Sequence, residues 1–246
     1  MIKQAIILAG GLGTRLRSVV SEVPKCMAPV AGKPFLHYVI AHLSSQGITD
    51  FIVSVGYKSE SIISFIRKNY GTGTFQFSVE SEPLGTGGAI RLAIERSAEK
   101  NILVCNGDTL FRIHVSDLDD FRQQHQPECA LCLKPMENFD RYGVVALKQD
   151  GRVQSFQEKK FYKKGLINGG VYALNRAAFS LHHFPEKFSF EKDYLEKLVG
   201  ATRMYGFIQD EYFIDIGIPQ DYQRAQQELG PAGAAPVPDP FNEQPK

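Results

Sequence analysis

Lys25 lies in PKCMAPVAGKP, Pro24 to Pro34, a stretch with three prolines and one glycine in eleven residues. Such a loop is stiff and non-helical, and it can hold an ammonium group in a fixed place. Near phosphorus a lysine need not lose its proton. It acts there as a positive charge on the transferred group. Lys33 is the second candidate in this loop, and an ordinary exposed lysine is the alternative for either. Upstream stands LAGGLGTRL, Leu8 to Leu16. Glycines at 10, 11 and 13 let the backbone approach a phosphate and turn its N–H groups inward. Thr14 offers a hydroxyl and Arg15 a fork of donors for phosphate oxygens. Two rival motifs fail here. A dinucleotide fingerprint needs a third glycine at 16, where Leu16 stands, and Thr14-Arg15 does not supply the GK[ST] ending of a P-loop.

Two further stretches carry chemistry. In EPLGTGGAI, Glu82 to Ile90, a glycine-rich turn opens a helix whose first N–H groups suit an anion or a carbonyl. In NGDTL, Asn106 to Leu110, a carboxylate follows a buried apolar strand, a natural place for Mg²⁺. A turn aspartate bonding its own backbone is the alternative for Asp108. The six histidines form no HExxH pattern and suggest no nucleophilic triad.

The elements that must position these groups read as strand and helix in alternation. Ala5 to Leu8 is a continuous apolar run of the kind buried on both faces. A helix is expected from about Pro34 to Gln46, with Gly47 at its C-cap. Strand Phe51 to Val55, a helix from about Ser59 to Asn69, and a strand Thr74 to Val79 follow. In the last of these Phe75, Phe77 and Val79 share one side. A helix from Gly87 to Ala98 and a buried strand Ile102 to Cys105 complete the series. This order predicts a parallel sheet with right-handed crossovers and helices on both faces. From Ala130 to Tyr172 short strands with turns are expected, forming antiparallel additions or a smaller sheet. A last helix is expected over Pro219 to Leu229. Gly230 to Lys246 holds five prolines and no apolar periodicity, so it reads as a disordered tail behind a single domain, 1–229.

Bulk properties narrow the function. With 28 basic and 27 acidic residues the net charge is +1, so no basic surplus points to nucleic acid. No apolar run is long enough for a membrane span or a signal-peptide core, and a cytoplasmic location is expected. The four cysteines are too few for a disulfide scaffold. Cys129 and Cys132 sit in an apolar run, CALCL, and read as buried free thiols rather than a metal or redox pair.

GGLGTRL followed by PKCMAPVAGKP closely resembles the signature of the nucleoside-diphosphate-sugar pyrophosphorylases, the sugar-1-phosphate nucleotidyltransferases. The likeness extends over roughly Met1 to Leu229. It implies an α/β, Rossmann-like, glycosyltransferase-A type three-layer fold with a mostly parallel central sheet and a smaller antiparallel sugar-side sheet. It implies an enzyme using a nucleoside triphosphate, a sugar 1-phosphate and Mg²⁺, with Arg15 and Lys25 as the catalytic cations. Leu8, Gly10, Gly11, Gly13, Thr14, Glu82, Pro83, Gly85, Thr86 and Gly87 would bind the nucleotide. Asp108 would hold the metal. Asp215 in DIGIP, which resembles the family's late DxGTP-like element, would complete the metal site. Ile218 departs from that pattern, standing where many members have threonine. Asn106, Gly143, Glu158, Lys159, Asn168 and Gly169 would bind the sugar phosphate. EPLGTGGAI, FSFEKDYLE and FIDIGIP look most like the subgroup that makes GDP-heptose, so GTP is the favoured nucleotide. Mannose 1-phosphate, or uridylyl or thymidylyl transfer, is the alternative, and a catalytically silent sensor on the same fold is a lesser one. A monomer or homodimer is expected.

Overall fold

The computed structural model describes residues 1–11, 23–71, 73–230 and, beyond them, Gly233, Ala235, Val237, Pro240 and Phe241. Along the chain run β1 (Gln4–Leu8), β2 (Pro29–Val30), β3 (Lys33–Pro34), α1 (Phe35–Ser45), β4 (Asp50–Val55), α2 (Ser59–Tyr70), β5 (Phe75–Val79), α3 (Gly85–Ile94), β6 (Asn101–Asn106) and β7 (Thr109–Phe111). Then follow α4 (Val115–His125), β8 (Cys129–Phe139), β9 (Val145–Leu147), β10 (Val153–Phe156), β11 (Tyr162–Asn175), α5 (Arg176–Ser180), β12 (Met204–Ile208), β13 (Phe213–Asp215) and α6 (Pro219–Glu228). A π-helical turn spans Phe190–Glu196.

Seven strands form the central sheet in the order β12-β8-β11-β6-β1-β4-β5. β1 pairs in parallel with β4 and with β6, and β4 with β5. β11 runs antiparallel between β6 and β8, and β12 is again parallel to β8. All the strands but β11 therefore point the same way. The sheet is an α/β doubly wound one that reverses its winding at β1, which is flanked by β4 and β6. Two-stranded ribbons β9–β10, β7–β13 and β2–β3 are antiparallel.

Alternation along β1 sends its side chains into both layers. Ala5 and Ile7 join a core with Phe35, Leu36 and Ile62 of α1 and α2, while Ile6 joins one with Ile90 of α3 and Phe190 and Tyr194 of the π turn. Cys129 and Cys132 likewise fall in the two opposite layers, and all four cysteines are free and buried. Gly47 ends the first turnover with φ +85°, the left-handed conformation that closes α1.

Two expectations need correction. The expected short strands account for the antiparallel pair β9 and β10, while the rest of region 130–172 is two long strands, β8 of 11 residues and β11 of 14. Pro135 stands inside β8. It lies beyond Leu133, the last β8 residue paired with β12, where one edge of β8 is open and a missing N–H is tolerated. In β5 the alternation also breaks, because Val79 is 51 % exposed while Ser78 is buried. β5 is the edge strand, so its last residues have a neighbour on one side only. In the expected tail, Ala235 is buried and its N–H donates to the Glu228 carbonyl at 3.0 Å, and Phe241 meets Tyr70 edge-on at 4.6 Å between ring centres.

Candidate active site

A cavity of about 570 Å³ opens where the sheet reverses its winding, above the carboxyl ends of β1, β4, β5 and β6. Leu8, Gly10 and Gly11 line it after β1, Ser54, Gly56 and Tyr57 around the end of β4, Glu80, Glu82 and Pro83 after β5, and Asn106 and Asp108 after β6. Gly85, Thr86, Lys25 and Glu191 complete the wall. Gly13, Thr14 and Arg15 lie outside the described residues.

At one end of the cavity Lys25 Nζ donates to Asp108 Oδ2 at 2.6 Å and to Asp215 Oδ1 at 3.2 Å. These residues are 83 and 190 positions from Lys25 in sequence. The ribbon β7–β13 joins the two acids, since Asp215 pairs with Thr109 and the Ile216 N–H donates to the Asp108 carbonyl at 3.2 Å. Gly217 lies close under the Lys25–Asp215 pair. A Cβ would stand 2.9 Å from Asp215 Oδ1 and 3.1 Å from Lys25 Nζ. Its N–H donates to the same Asp215 oxygen at 2.7 Å, which fixes the carboxylate. Lys25 itself sits in a short 3-10 turn, Lys25–Met27, entered through Pro24.

Burial pulls the Lys25 pKa down, but the Asp108 and Asp215 carboxylates outweigh it and hold the group above the ordinary lysine value. Lys25 is therefore a fixed positive charge at neutral pH and no candidate base. The neighbouring Cys26 thiol is pushed up to about 12, by burial first and by the Asp108 charge second, so it stays protonated. The side chains of Asp108 and Asp215 are 35 % and 30 % exposed; Asp108 lines the cavity, and Asp215 joins it through the shared bond to Lys25.

The turn after β5 is held from two sides. Glu80 Oε2 accepts the Leu84 N–H at 3.0 Å, and Glu80 Oε1 accepts the Ser54 hydroxyl at 3.4 Å. On the other side the chain around Phe188 lies flush against the start of α3. The Phe188 N–H donates to the Leu84 carbonyl and its carbonyl accepts the Gly87 N–H, both at 3.0 Å. Gly85, with φ +73°, leaves room for that carbonyl. Gly87 points away from the cavity, for a Cβ there would fall 2.2 Å from the Phe188 ring. Its N–H is already used, so the first donors of α3 open to a ligand are fewer than the sequence suggested.

The residues expected on the sugar side fall into two groups. Asn168 and Gly169 form a bulge in β11, where the pairing with β8 slips between Asn168 and Tyr172. Asn168 Oδ1 accepts the Gly170 N–H at 3.0 Å and its amide donates to the Tyr172 hydroxyl at 2.9 Å. Gly170, at φ +70°, lies against the Asn106 side chain, so the bulge touches the end of β6. Gly143, Glu158 and Lys159 sit beside the β9–β10 ribbon, with Gly143 packed on the Gln157 carbonyl and Glu158 and Lys159 exposed. None of these five lines the cavity wall, although Asn106 does.

Sequence reasoning did not find Ser54, Gly56, Tyr57, Glu80, Cys26, Ala89 or Glu191 in the wall. The first four were within reach, since they end β4 and β5, strands already expected to be parallel to β1. Glu191 carried no such signal.

The family model described as nucleotidyl transferase matches residues 4–230, and the chain belongs to this family. It is 50% identical over 226 residues to the D-glycero-alpha-D-manno-heptose 1-phosphate guanylyltransferase of Aneurinibacillus thermoaerophilus, covering 92% of this chain and 98% of that protein. It is 44% identical over 219 residues to the protein of the same name from Campylobacter jejuni, covering 89% and 96%. Among solved structures, HddC from Yersinia pseudotuberculosis, determined alone and complexed with GMP-PN, superposes with a TM-score of 0.84 at 35% identity, over 93% of this chain and all of that one. The α/β architecture expected from the sequence is the one these relatives share, and the chain is a nucleotidyltransferase. No described helix is long and apolar enough to cross a membrane.

Proposed function

We propose that residues 1–229 form a cytoplasmic guanylyltransferase that joins GTP and D-glycero-α-D-manno-heptose 1-phosphate into GDP-heptose and pyrophosphate. The observation that carries this is the convergence of Asp108 and Asp215 on Lys25 at the end of a cavity built at the sheet's switch point. The choice of sugar rests on the identity to the heptose 1-phosphate enzymes.

The sugar phosphate oxygen attacks the α-phosphorus of GTP in line, the bond to the β-phosphate oxygen breaks, and pyrophosphate leaves. The attacking oxygen is ionised near neutral pH, so no base is needed. What must be overcome is repulsion between two polyanions. Two unit charges about 4 Å apart repel by roughly 1 kcal/mol in water and about 4 kcal/mol at an effective dielectric of 20. Lys25, with Arg15 as the second cation that the family resemblance implies, offsets this charge, and a positioned cation is worth most as the transition state forms.

The acidic pair suits a divalent metal. Carboxylate oxygens are the hard donors that Mg²⁺ prefers, and Mg²⁺ needs only one or two of them because substrate phosphates and water fill the rest of its shell. When bound, Mg²⁺ on Asp108 and Asp215 supplies neutralisation of the phosphates. Glu80 supports guanine over a pyrimidine base. A carboxylate accepts at about four sites, so bonds to Leu84 and Ser54 leave capacity for the N1–H and N2–H donors of guanine.

The test supplies GTP, UTP and dTTP in turn with heptose, mannose and glucose 1-phosphates and measures pyrophosphate. GTP with the heptose phosphate is expected to be the best pair. Turnover with UTP or dTTP alone discards the guanylyl assignment.

A further inference from the structure

Glu191 lines the cavity and the proposed reaction gives it no role, yet its setting is built rather than incidental. Its Oε2 accepts the Thr86 hydroxyl at 2.6 Å and the Ser189 hydroxyl at 3.1 Å. Thr86 in turn accepts the Phe190 N–H at 2.9 Å, so the glycine-rich turn and the π turn share one knot. The π turn is closed by a reciprocal cap. Ser189 accepts the Lys192 N–H at 3.2 Å, and Asp193 accepts the Ser189 N–H at 2.8 Å. Behind Glu191 the turn is anchored in the core by Phe190 and Tyr194, both fully buried, with Phe190 edge-on to Tyr172 of β11 at 4.9 Å.

This fixes where the carboxylate stands. Tyr172 carries the hydroxyl that Asn168 bonds, and burial first and the Glu191 charge second push the Tyr172 pKa well up. Glu191 therefore stands between the nucleotide turn and the β11 bulge, on the β6–β11 side of the cavity. The base-side acceptor Glu80 is on the opposite side, at the end of β5. Two hydroxyl donors already occupy one oxygen of Glu191, and the half-buried side chain belongs to the cavity lining. A carboxylate held in this way is an acceptor for further hydroxyls, and a sugar is the substrate that brings them.

We infer that Glu191 is a specificity-determining residue that accepts hydroxyl groups of the sugar 1-phosphate. The inference rests on the proposed reaction and adds to it which residue selects the acceptor. Oε1 keeps acceptor sites for up to about two further hydroxyls, and a site built to hydrogen-bond a substrate hydroxyl discriminates strongly against an analogue lacking it.

The test measures KM for both substrates in Glu191→Gln and Glu191→Asp, using whichever sugar 1-phosphate the wild-type protein turns over best. Thermal midpoints serve as the folding control. The expected result is a rise of about tenfold or more in KM for the sugar phosphate, with KM for GTP within about twofold. The Asp variant keeps the charge but withdraws it, so it should show the same split should the Gln variant fold poorly. A rise in KM for GTP instead, or in both equally, overturns the inference and assigns Glu191 to the ribose. Unchanged constants for both substrates overturn it as well. A wild-type protein that turns over GTP with a different sugar phosphate corrects the proposed function while the Glu191 variants still decide the inference. One that releases no pyrophosphate with any sugar 1-phosphate overturns both.

Discussion

The two sides of the cavity are made by different means. On the proposed nucleotide side the wall comes from Leu8 to Gly11, Ser54 to Tyr57 and Glu80 to Pro83, with Asn106 and Asp108 bordering the proposed sugar side, each at or just after the carboxyl end of a parallel strand. On the sugar side there is a bulge in the antiparallel strand β11, an exposed loop after β10, and a π turn brought in from residue 190. Parallel strands deliver their ends to one edge as a consequence of topology, so the nucleotide side is specified as soon as the strands are. An antiparallel strand delivers its carboxyl end to the far edge. The sugar side has to be assembled from interruptions of regular structure, and its residues are correspondingly less constrained by the sheet.

The difference predicts unequal costs for the two lysines. Lys25 is tied to Asp108 and Asp215 and only 15 % of its side chain is exposed, whereas Lys159 lies exposed on its loop. Removing a preorganised cation costs roughly 10²–10³ in kcat, so Lys25→Met should lose that much while calorimetry still detects GTP binding. Lys159→Met should act mainly on KM for the sugar phosphate, by about tenfold, because an exposed charge must be ordered by the substrate it binds. Equal losses of kcat in both variants would break the contrast.

Two glycines on the nucleotide side sharpen it further. A Cβ at Gly88 would stand 2.6 Å from the Glu186 carbonyl oxygen and 2.7 Å from Leu84, whereas one at Gly11 meets nothing within 4 Å among the described residues. Gly88→Ala must push the 186–188 segment off α3 and should cost about 1–3 kcal/mol of stability. Gly11→Ala should leave the denaturation midpoint in place and weaken GTP binding, since its glycine serves the approach of a ligand rather than of the chain. A destabilised Gly11→Ala would place this glycine among the packing positions.

How far the sequence could be read follows the same division. β1, β4 and β6 were evident as apolar runs, and NGDTL, EPLGTGGAI and PKCMAPVAGKP marked three of the places that now meet around the cavity. Asp215 could be named only through the likeness of DIGIP to a known element, because a span of 190 residues from Lys25 to Asp215 leaves no local trace. Glycine-rich spelling also misleads. Gly87 looks like a ligand turn but receives the Phe188 ring, and Gly169 receives that of Phe111. A missing Cβ declares close approach without saying what approaches. Ser54, Gly56, Tyr57 and Glu80 were hidden in the opposite way, since nothing in their spelling is unusual and only the sheet order marks them.

Arg91 tests whether the two sides are separate at all. It belongs to α3, yet its guanidinium donates to the carbonyls of Phe184 at 3.0 Å, Pro185 at 3.1 Å and Glu186 at 3.0 Å. It also lies over the Phe188 ring at 5.5 Å. The fork thereby holds the segment that leads into the π turn and Glu191. Lysine cannot reproduce three such bonds, because its ammonium is a point donor on a flexible stem. Arg91→Lys should therefore loosen the sugar side from a position on the nucleotide side. The expected effect is a rise of roughly two- to fivefold in KM for the sugar phosphate, the scale of one ordinary hydrogen bond, with KM for GTP little changed. If KM for GTP rises and that for the sugar phosphate does not, the 184–191 segment serves the glycine-rich turn beneath it, and the division between the two sides falls elsewhere.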